Sequence, residues 1–243
     1  PLADLHLETS SNALTGTNVD VSGLAIKIHN PVNDTGEAVG IGFGLSDNLG
    51  NVGAAIIHDR VGSESQGGLH FATKSSAAGA ADIPIRMSID KNGIVTTPYQ
   101  PSWNVGLAGA QTISTLGDVV LWNKSTGGTN FVNGGVTLNG TNGRITLPVA
   151  GKYLIVAAMR TEAAGGVSGT NLNLRLNGVT QTRFYVGTCL NSGGSYMNIE
   201  PRPFIVNAQA NDYLYYDFDG LPASIILSAS TNTVVSFSGY LIG

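Results

Sequence analysis

Glycine recurs every few residues along this chain, and that spacing leaves little room for long helices. It accounts for 33 of the 243 residues, and good helix formers nowhere cluster between the glycines. The intervals hold short stretches in which apolar and polar residues alternate, the pattern of half-buried β-strands. The sequence therefore predicts an all-β protein with many tight turns.

The composition excludes several classes of protein. Charged residues make up 12% and hydrophobic residues 42% of the chain, whereas a disordered chain has few apolar residues and a high net charge. Residues 1–101 carry five Lys/Arg and ten Asp/Glu, and residues 102–243 carry seven and six. Neither part has the basic stripe that nucleic-acid binding requires. No apolar run approaches the roughly 18 residues of a membrane span, so we expect neither nucleic-acid binding nor membrane insertion.

The chain is predicted to divide near Pro98–Trp103, where two prolines and two aromatic residues favour a stiff, extended connector. We expect a β-rich trimerisation region over residues 1–100, a connector over 101–106 and a β-sandwich over 107–243. The first region begins at Pro1, which predicts a fragment or a processed product. Its predicted strands are Leu24–Asn30, Gly40–Ser46, Ala54–His58, Gly68–Thr73 and Ile83–Asp90. Such short strands have little to bury, so we expect them to pack against copies of themselves.

The second region has longer and more apolar stretches. Nine strands are predicted there: Val119–Trp122, Gly143–Leu147, Tyr153–Met159, Asn171–Leu176, Arg183–Val186, Pro203–Val206, Tyr213–Phe218, Ser224–Leu227 and Thr233–Leu241. Many strands at short, regular spacing favour a two-sheet sandwich or a jelly roll.

Two stretches of this region resemble a known family. TNGRITLPVAGKYLI at Thr141–Ile155 and the ending SFSGYLIG resemble the jelly-roll head of complement first-component globular domains and tumour-necrosis-factor ligands. The positions that match the family pattern are Asn133, Leu138, Ile145, Gly151, Tyr153, Ile155, Phe237, Gly239 and Tyr240. The resemblance implies a C-terminal jelly-roll β-sandwich head with these residues in its fold-defining core. It also implies a homotrimer that binds other molecules and catalyses no reaction.

Residues 36–95 resemble the distal shaft of tailed-bacteriophage fibres and spikes. The matching runs are GAAIIHDRVGSESQGGLHFATK and ADIPIRMSIDKNGIV. This resemblance implies an N-terminal intertwined trimeric β shaft. Together the two resemblances predict the distal end of a bacteriophage tail fibre or similar virion appendage, outside the cell. Its expected partners are other virion tail proteins on the N-terminal side and a bacterial cell-surface glycan or protein as receptor.

Two other functions stay open at this point. One is a secreted or spore-surface jelly-roll trimer with a structural or adhesive role, and the other is a capsule-degrading tail spike. No catalytic residue and no cofactor is predicted. His58 and Asp59 could pair a base with its orienting acid, but neighbours on a strand point to opposite faces.

Candidate binding residues lie in the second region. Asp217 and Asp219 fall on one side of an extended segment and are weak candidates for calcium, which needs several oxygen ligands. Receptor contact is expected from loops at the far end of the head. The residues expected to make it are Tyr196, Ser195, Asn191 and Tyr216.

Overall fold

The computed structural model describes residues 14–15, 18–19, 24, 26–45, 47, 51–77, 83–162, 170–186, 196–219, 225–229 and 235–243. Within these ranges the protein is all-β, with antiparallel sheets and no helix, which confirms the predicted class. Among the same residues there is consequently no helix long and apolar enough to cross a membrane. The chain divides into two compact units, Pro1–Thr97 and Pro98–Gly243.

The N-terminal unit contains a five-stranded sheet whose strands follow chain order. The strands of the unit are β1 Leu14–Thr15, β2 Asn18–Val19, β3 Ala38–Phe43, β4 Ala54–Asp59, β5 Leu69–Thr73, β6 Ile85–Ile89 and β7 Val95–Thr96. Strands β1 and β2 pair with each other, and β3 to β7 form the larger sheet. Four of the five predicted strands are confirmed to within a few residues. The prediction of a strand over Leu24–Asn30 is wrong, since the described residues there belong to no strand.

The two faces of this sheet differ in chemistry. The strand register aligns Ile41, Ile56, Phe71 and Met87 in one row across four strands. We call the face that holds this row the N-terminal apolar face; His58 also lies on it, between Val39 and Leu69, and its apolar members are Val39, Ile41, Phe43, Ile56, Leu69, Phe71, Met87, Ile89 and Val95. Ile41 is 45% and Phe43 is 52% exposed. Among the described hydrophobic residues of this unit, Ala72 alone is buried, so these residues form no packed core.

The C-terminal unit is built from two larger sheets. Its strands are β8 Ser102–Val105, β9 Gln111–Ile113, β10 Phe131–Asn133, β11 Thr137–Asn139, β12 Arg144–Thr146, β13 Gly151–Glu162, β14 Thr170–Leu176, β15 Val179–Val186, β16 Tyr196–Ile199, β17 Phe204–Ala208, β18 Tyr213–Asp219, β19 Ile225–Leu227 and β20 Ser236–Leu241. One sheet has the order β11-β12-β18-β14-β15. The other has the order β10-β8-β20-β13-β19-β9, with β16 and β17 also paired to β13.

Strand β13 organises the eight-stranded sheet because it changes partners along its length. Its first half, Gly151–Ile155, pairs with β17, and its last residues, Met159–Glu162, pair with β16. On its other edge it pairs first with β20 and then with β19. The sheet therefore curls instead of lying flat.

Eight of these strands pair in a nested way. Taken in chain order they are β8, β12, β13, β14, β15, β17, β18 and β20. The first strand, β8, pairs with the last, β20. Moving inward along the chain, β12 pairs with β18, β13 with β17 and β14 with β15. Pairing of β13 with β20 and of β14 with β18 joins these pairs into the two sheets. The arrangement is that of one long hairpin folded over on itself.

Buried side chains from both sheets form one hydrophobic core. Phe237 lies at its centre, with ring centroids 5.7 Å from Trp103, 5.6 Å from Trp122 and 5.1 Å from Tyr216. The edge-on and tilted geometries of these pairs are the ones that aromatic rings favour. Both indole N–H groups are buried and have no hydrogen-bond partner among the described residues.

Most of the predicted core residues occupy the core. Ile145, Tyr153, Ile155 and Phe237 are buried, and Leu138 packs against the cluster. The two glycines lie where the chain approaches other atoms closely. A Cβ on Gly239 would lie 2.4 Å from two ring atoms of Trp103, and one on Gly151 would lie 2.5 Å from Leu241 Cδ1.

Two predicted core residues are at the surface instead. Tyr240 is 48% exposed, because alternation along β20 turns it away from the core that Phe237 enters. Asn133 is also exposed, and its side-chain Nδ2 donates to the carbonyl of Pro98 at 2.7 Å. The core assignment is wrong for both residues.

The predicted connector over residues 101–106 is also wrong. Ser102–Val105 is strand β8, which lies between β20 and β10, and Trp103 is 1% exposed. The Leu241 amide donates to the Pro101 carbonyl at 3.0 Å, so the prolines lead directly into the sheet. The predicted strand Val119–Trp122 forms only an isolated bridge from Val119 to Asp217.

Candidate functional site

The outer face of the eight-stranded sheet carries apolar side chains that a single chain leaves in water. Leu154 on β13 aligns with Ile205 on one side and with Tyr240 on the other. Ile205 is 54%, Tyr240 48% and Val156 39% exposed. We call this surface the apolar face of the head; its members are Phe131, Leu154, Val156, Ile205 and Tyr240. Scattered exposed apolar residues are ordinary, but adjacent ones mark an interaction surface.

The outer face of the five-stranded sheet is polar and charged. Along β18 the side chains alternate, so that Leu214, Tyr216 and Phe218 enter the core and the intervening residues point outward. We call the outer surface the charged face; its members are Arg144, Asn173, Arg175, Arg183, Tyr213, Tyr215, Asp217 and Asp219. The two outer faces of the sandwich thus differ in their exposed apolar residues, although polar residues such as Lys152 and Asn207 flank the apolar face of the head.

Asp217 is enclosed by partners on the charged face. Arg175 Nε donates to both of its carboxylate oxygens, at 3.0 and 2.9 Å, and Asn173 Nδ2 donates to Oδ1 at 2.9 Å. Asn173 is 0% and Asp217 5% exposed. The buried carboxylate therefore has charge-assisted hydrogen bonds, which are the strong kind.

The structure argues against the calcium candidates. Asp219 accepts a hydrogen bond from Arg183 Nη2 at 2.6 Å, and Asp217 is held by Arg175 as described. A guanidinium already beside each carboxylate would repel a second cation. No group of three or more His, Cys, Asp or Glu side chains positioned for a metal occurs among the described residues. The prediction of Asp217 and Asp219 as metal ligands is corrected accordingly.

Arg144 lies over two tyrosine rings of the charged face. Its Cζ is 4.3 Å from the ring centroid of Tyr213 and 5.5 Å from that of Tyr215. The two rings stack at an interplanar angle of 20°, and a cation above such rings is attracted by their π faces. Burial raises the pKa of the Tyr215 hydroxyl, Asp217 adds to the rise, and Arg175 and Arg144 oppose it.

The expected receptor contacts have different outcomes. Tyr216 is 1% exposed and packs edge-on against Phe237, so its assignment as a contact residue is wrong. Alternation along β18 directs it inward, and burial raises its pKa. Tyr196 opens β16, and its backbone pairs with Glu162. Ser195 and Asn191 lie outside the described residues.

The two ends of the head are distinct. Glu162, at the end of β13, aligns with Tyr196 and with Ile226, so three strand ends gather there. Ser102 aligns with Tyr240 at the opposite end, where the chain enters from Pro98. Strand β13 has 12 residues, and at about 3.3 Å per residue it separates the ends by roughly 35–40 Å.

In the N-terminal unit, Asp59 pairs with His70 and not with its neighbour His58. His70 Nε2 lies 3.1 Å from Asp59 Oδ1, and its Nδ1 lies 2.8 Å from Ser88 Oγ. A carboxylate only accepts, so Nε2 donates to Asp59, and Nδ1 is hydrogen-bonded to the serine hydroxyl. Burial would raise the pKa of Asp59, but the amide of Gly68 and the imidazole of His70 hold it below its ordinary value. The three side chains tie β4, β5 and β6 together.

Comparison with known proteins adds no family assignment. No protein-family model matches this chain, and no curated protein matches it significantly.

Proposed function

We propose that this protein is the homotrimeric distal part of a bacteriophage tail fibre or similar virion appendage and that it binds a receptor on the bacterial surface. The observation that carries the proposal is the N-terminal apolar face. Its row Ile41, Ile56, Phe71 and Met87 crosses a sheet that has no packed core of its own among the described residues. Such a sheet requires another surface to cover it.

Three copies around one axis provide that surface. Each sheet can turn its apolar face inward, so that the three sheets form a closed prism with equivalent contacts. Fully burying an Ile, Phe or Met side chain stabilises by about 1.5–3 kcal/mol. Four of these nine residues are 38–53% exposed and the other five are half-buried, so the gain per chain is roughly a third of that sum. Summed over three chains, this gain is about 13–27 kcal/mol, which is comparable with the cost of the two association steps of a trimer, at roughly 4–15 kcal/mol each.

The C-terminal unit supports the same assignment. A jelly roll consists of eight strands in two sheets, and the nested pairing of β8 with β20, β12 with β18, β13 with β17 and β14 with β15 supports such a head. We propose a jelly-roll head whose apolar face joins the three subunits. The receptor would be a surface glycan or protein, bound by three heads at once, so that weak single contacts add in avidity.

The oligomeric state tests the first half of the proposal. We expect sedimentation equilibrium to give three times the 25.0 kDa of one chain. Ile41→Asp should dissociate the trimer, because it places a charge in a buried interface. The matched control is Ile94→Asp, at a residue 59% exposed in the single chain against 45% for Ile41. A single-chain mass for the wild-type protein, or equal behaviour of the two variants, would overturn the trimer.

Binding to cells tests the second half. Fluorescently labelled trimer should bind saturably to some strains in a panel of Gram-negative and Gram-positive bacteria, and unlabelled trimer should compete. Loss of binding after periodate oxidation of the cells would identify a glycan receptor, and loss after protease treatment a protein. Release of reducing sugars from the bound polysaccharide would contradict a purely binding role, and absence of binding to every strain would contradict receptor attachment.

A further inference from the structure

We propose that the charged face of the head binds an acidic saccharide, with Arg144 as the group that contacts the sugar carboxylate. This inference rests on the proposed receptor binding and names the chemical class of the receptor. The proposed contact lies on the outer face of the five-stranded sheet of the head. The sequence instead predicts contact by the loops at the far end of the head.

The charges on this face leave Arg144 unbalanced. Arg175 is neutralised by Asp217 and Arg183 by Asp219. Arg144, in contrast, has no carboxylate within ion-pairing distance among the described residues, and its described contacts are the Tyr213 and Tyr215 rings. The charged face therefore carries one uncompensated positive charge, which an anionic ligand can neutralise.

The way Arg144 is held leaves its donors usable. The tyrosine rings contact Arg144 through their π faces, which accept no conventional hydrogen bond, so the five N–H donors of the guanidinium remain for a ligand. A guanidinium fixed in this way loses less conformational freedom on binding than a free one. It can donate two parallel hydrogen bonds to a carboxylate, the geometry in which arginine binds this group best.

Further polar groups lie beside Tyr215, one of the two rings that contact Arg144. The Tyr215 hydroxyl lies beside the turn at Asn177–Gly178, since a Cβ on Gly178 would lie 3.9 Å from it. Arg175 donates to the Gly178 carbonyl at 3.3 Å, which fixes the turn against the sheet. The Tyr215 hydroxyl can donate to a ring or hydroxyl oxygen of the same sugar.

A second part of the face suits the neutral portion of a saccharide. The side chains of Arg183 and Asp219 are 55% and 40% exposed while hydrogen-bonded to each other at 2.6 Å. A pair of this kind offers donors and acceptors to sugar hydroxyls without a net charge. Strands β14, β15 and β18 hold these groups in register, and a site on strands is held more rigidly than one on loops.

The proposal is tested with the full-length protein and a defined probe. Oligogalacturonate should bind in isothermal titration calorimetry, while its fully methyl-esterified form, which lacks the charge, should bind at least tenfold more weakly. Arg144→Ala should weaken oligogalacturonate binding at least tenfold. Tyr215→Phe should weaken it several-fold, because it removes one hydroxyl and leaves the ring in place.

A matched variant distinguishes an effect of the position of Arg144 from an effect of losing one positive charge anywhere on the protein. Arg202→Ala removes the same charge from an exposed residue away from this face, and it should leave the affinity unchanged. Equal loss in Arg144→Ala and Arg202→Ala would overturn the proposal, because it would indicate attraction by net charge alone. Equal affinity for the esterified probe would overturn it too, as would unchanged binding by Arg144→Ala.

The same variants distinguish this proposal from the proposed function. If wild-type protein and Arg144→Ala bind susceptible cells equally well, receptor attachment stands and the acidic-saccharide site is wrong. If wild-type protein binds no cells but binds oligogalacturonate through Arg144, the site stands and the attachment function is wrong.

Discussion

Gly239→Ala tests whether the core of the head is packed as tightly as its geometry indicates. The added Cβ would lie 2.4 Å from Cζ2 and Cη2 of Trp103 and 3.0 Å from the Leu154 carbonyl oxygen. Carbon atoms in favourable contact are about 3.5–4.0 Å apart, so the overlap exceeds roughly 1 Å. Trp103 is 1% exposed and packs against the rings of Tyr153 and Phe237, so it can shift only if these neighbours also move.

Overpacking of this severity costs about 3 kcal/mol, near the upper end of the usual range. In a unit of this size that corresponds to a fall in Tm of roughly 10 °C. Both tryptophans of the chain lie in the head, so intrinsic fluorescence during urea titration reports on this unit. Gly109→Ala is the control, since a Cβ there has open space, and it should change stability by less than about 0.5 kcal/mol.

A double-mutant cycle identifies the clash itself. Trp103→Phe removes the ring atoms that the new methyl group would meet, together with a buried indole N–H that has no partner among the described residues. Gly239→Ala should therefore cost at least about 1 kcal/mol less in the Trp103→Phe background, as coupled neighbours do. The same cost in both backgrounds, or wild-type stability of Gly239→Ala, would refute close packing between these two residues.

Three further outcomes are expected. Asp217→Ala should destabilise the head by about 2–3 kcal/mol, because it leaves Arg175 without its buried partner. Asp219→Ala should cost less than about 1 kcal/mol, because its ion pair with Arg183 is exposed. Urea titration of both variants measures the difference. The contribution of Asp59 to the stability of the N-terminal unit is fully present above its ordinary pKa of 3.8 and is lost as the pH falls through the lowered value. Hydrogen-exchange protection factors in β4–β6, which correct for the slower intrinsic exchange at low pH, should therefore fall on acidification, and Asp59→Asn should remove that pH dependence. Tyr153→Phe should cost about 1 kcal/mol, because it removes the hydrogen bond that the buried Tyr153 hydroxyl donates to the Val149 carbonyl at 2.8 Å. An unchanged urea midpoint would exclude that contribution.

The sequence predicted the strands that have a clear period of two. Alternation between Tyr153 and Met159 places the core residues correctly, and β13 and β18 extend the predicted strands by a few residues. The strands that were not predicted, such as β9 and β11, have three residues each. A stretch of that length contains too few alternations to be distinguished from a turn.

The sites were harder to predict than the fold. Spacing placed Asp217 and Asp219 on one side of a strand, but the arginines that hold them come from β14 and β15, more than 30 positions away in the sequence. The stacking of Arg144 on Tyr213 and Tyr215 likewise depends on the pairing of β12 with β18. Such contacts follow from sheet order, which a single sequence specifies only weakly.

The position of strand β20 has a consequence for biosynthesis. Ser236–Leu241 lies between β8 and β13 in the middle of the sheet, and Phe237 occupies the centre of the core. Chains emerge from the ribosome N-terminus first, at about 5–20 residues per second. Strand β20 is therefore translated after β8 and β13, the two strands between which it lies. The head therefore completes its core only after Ser236–Leu241 has been synthesised, and until then β8 and β13 lack the strand that lies between them.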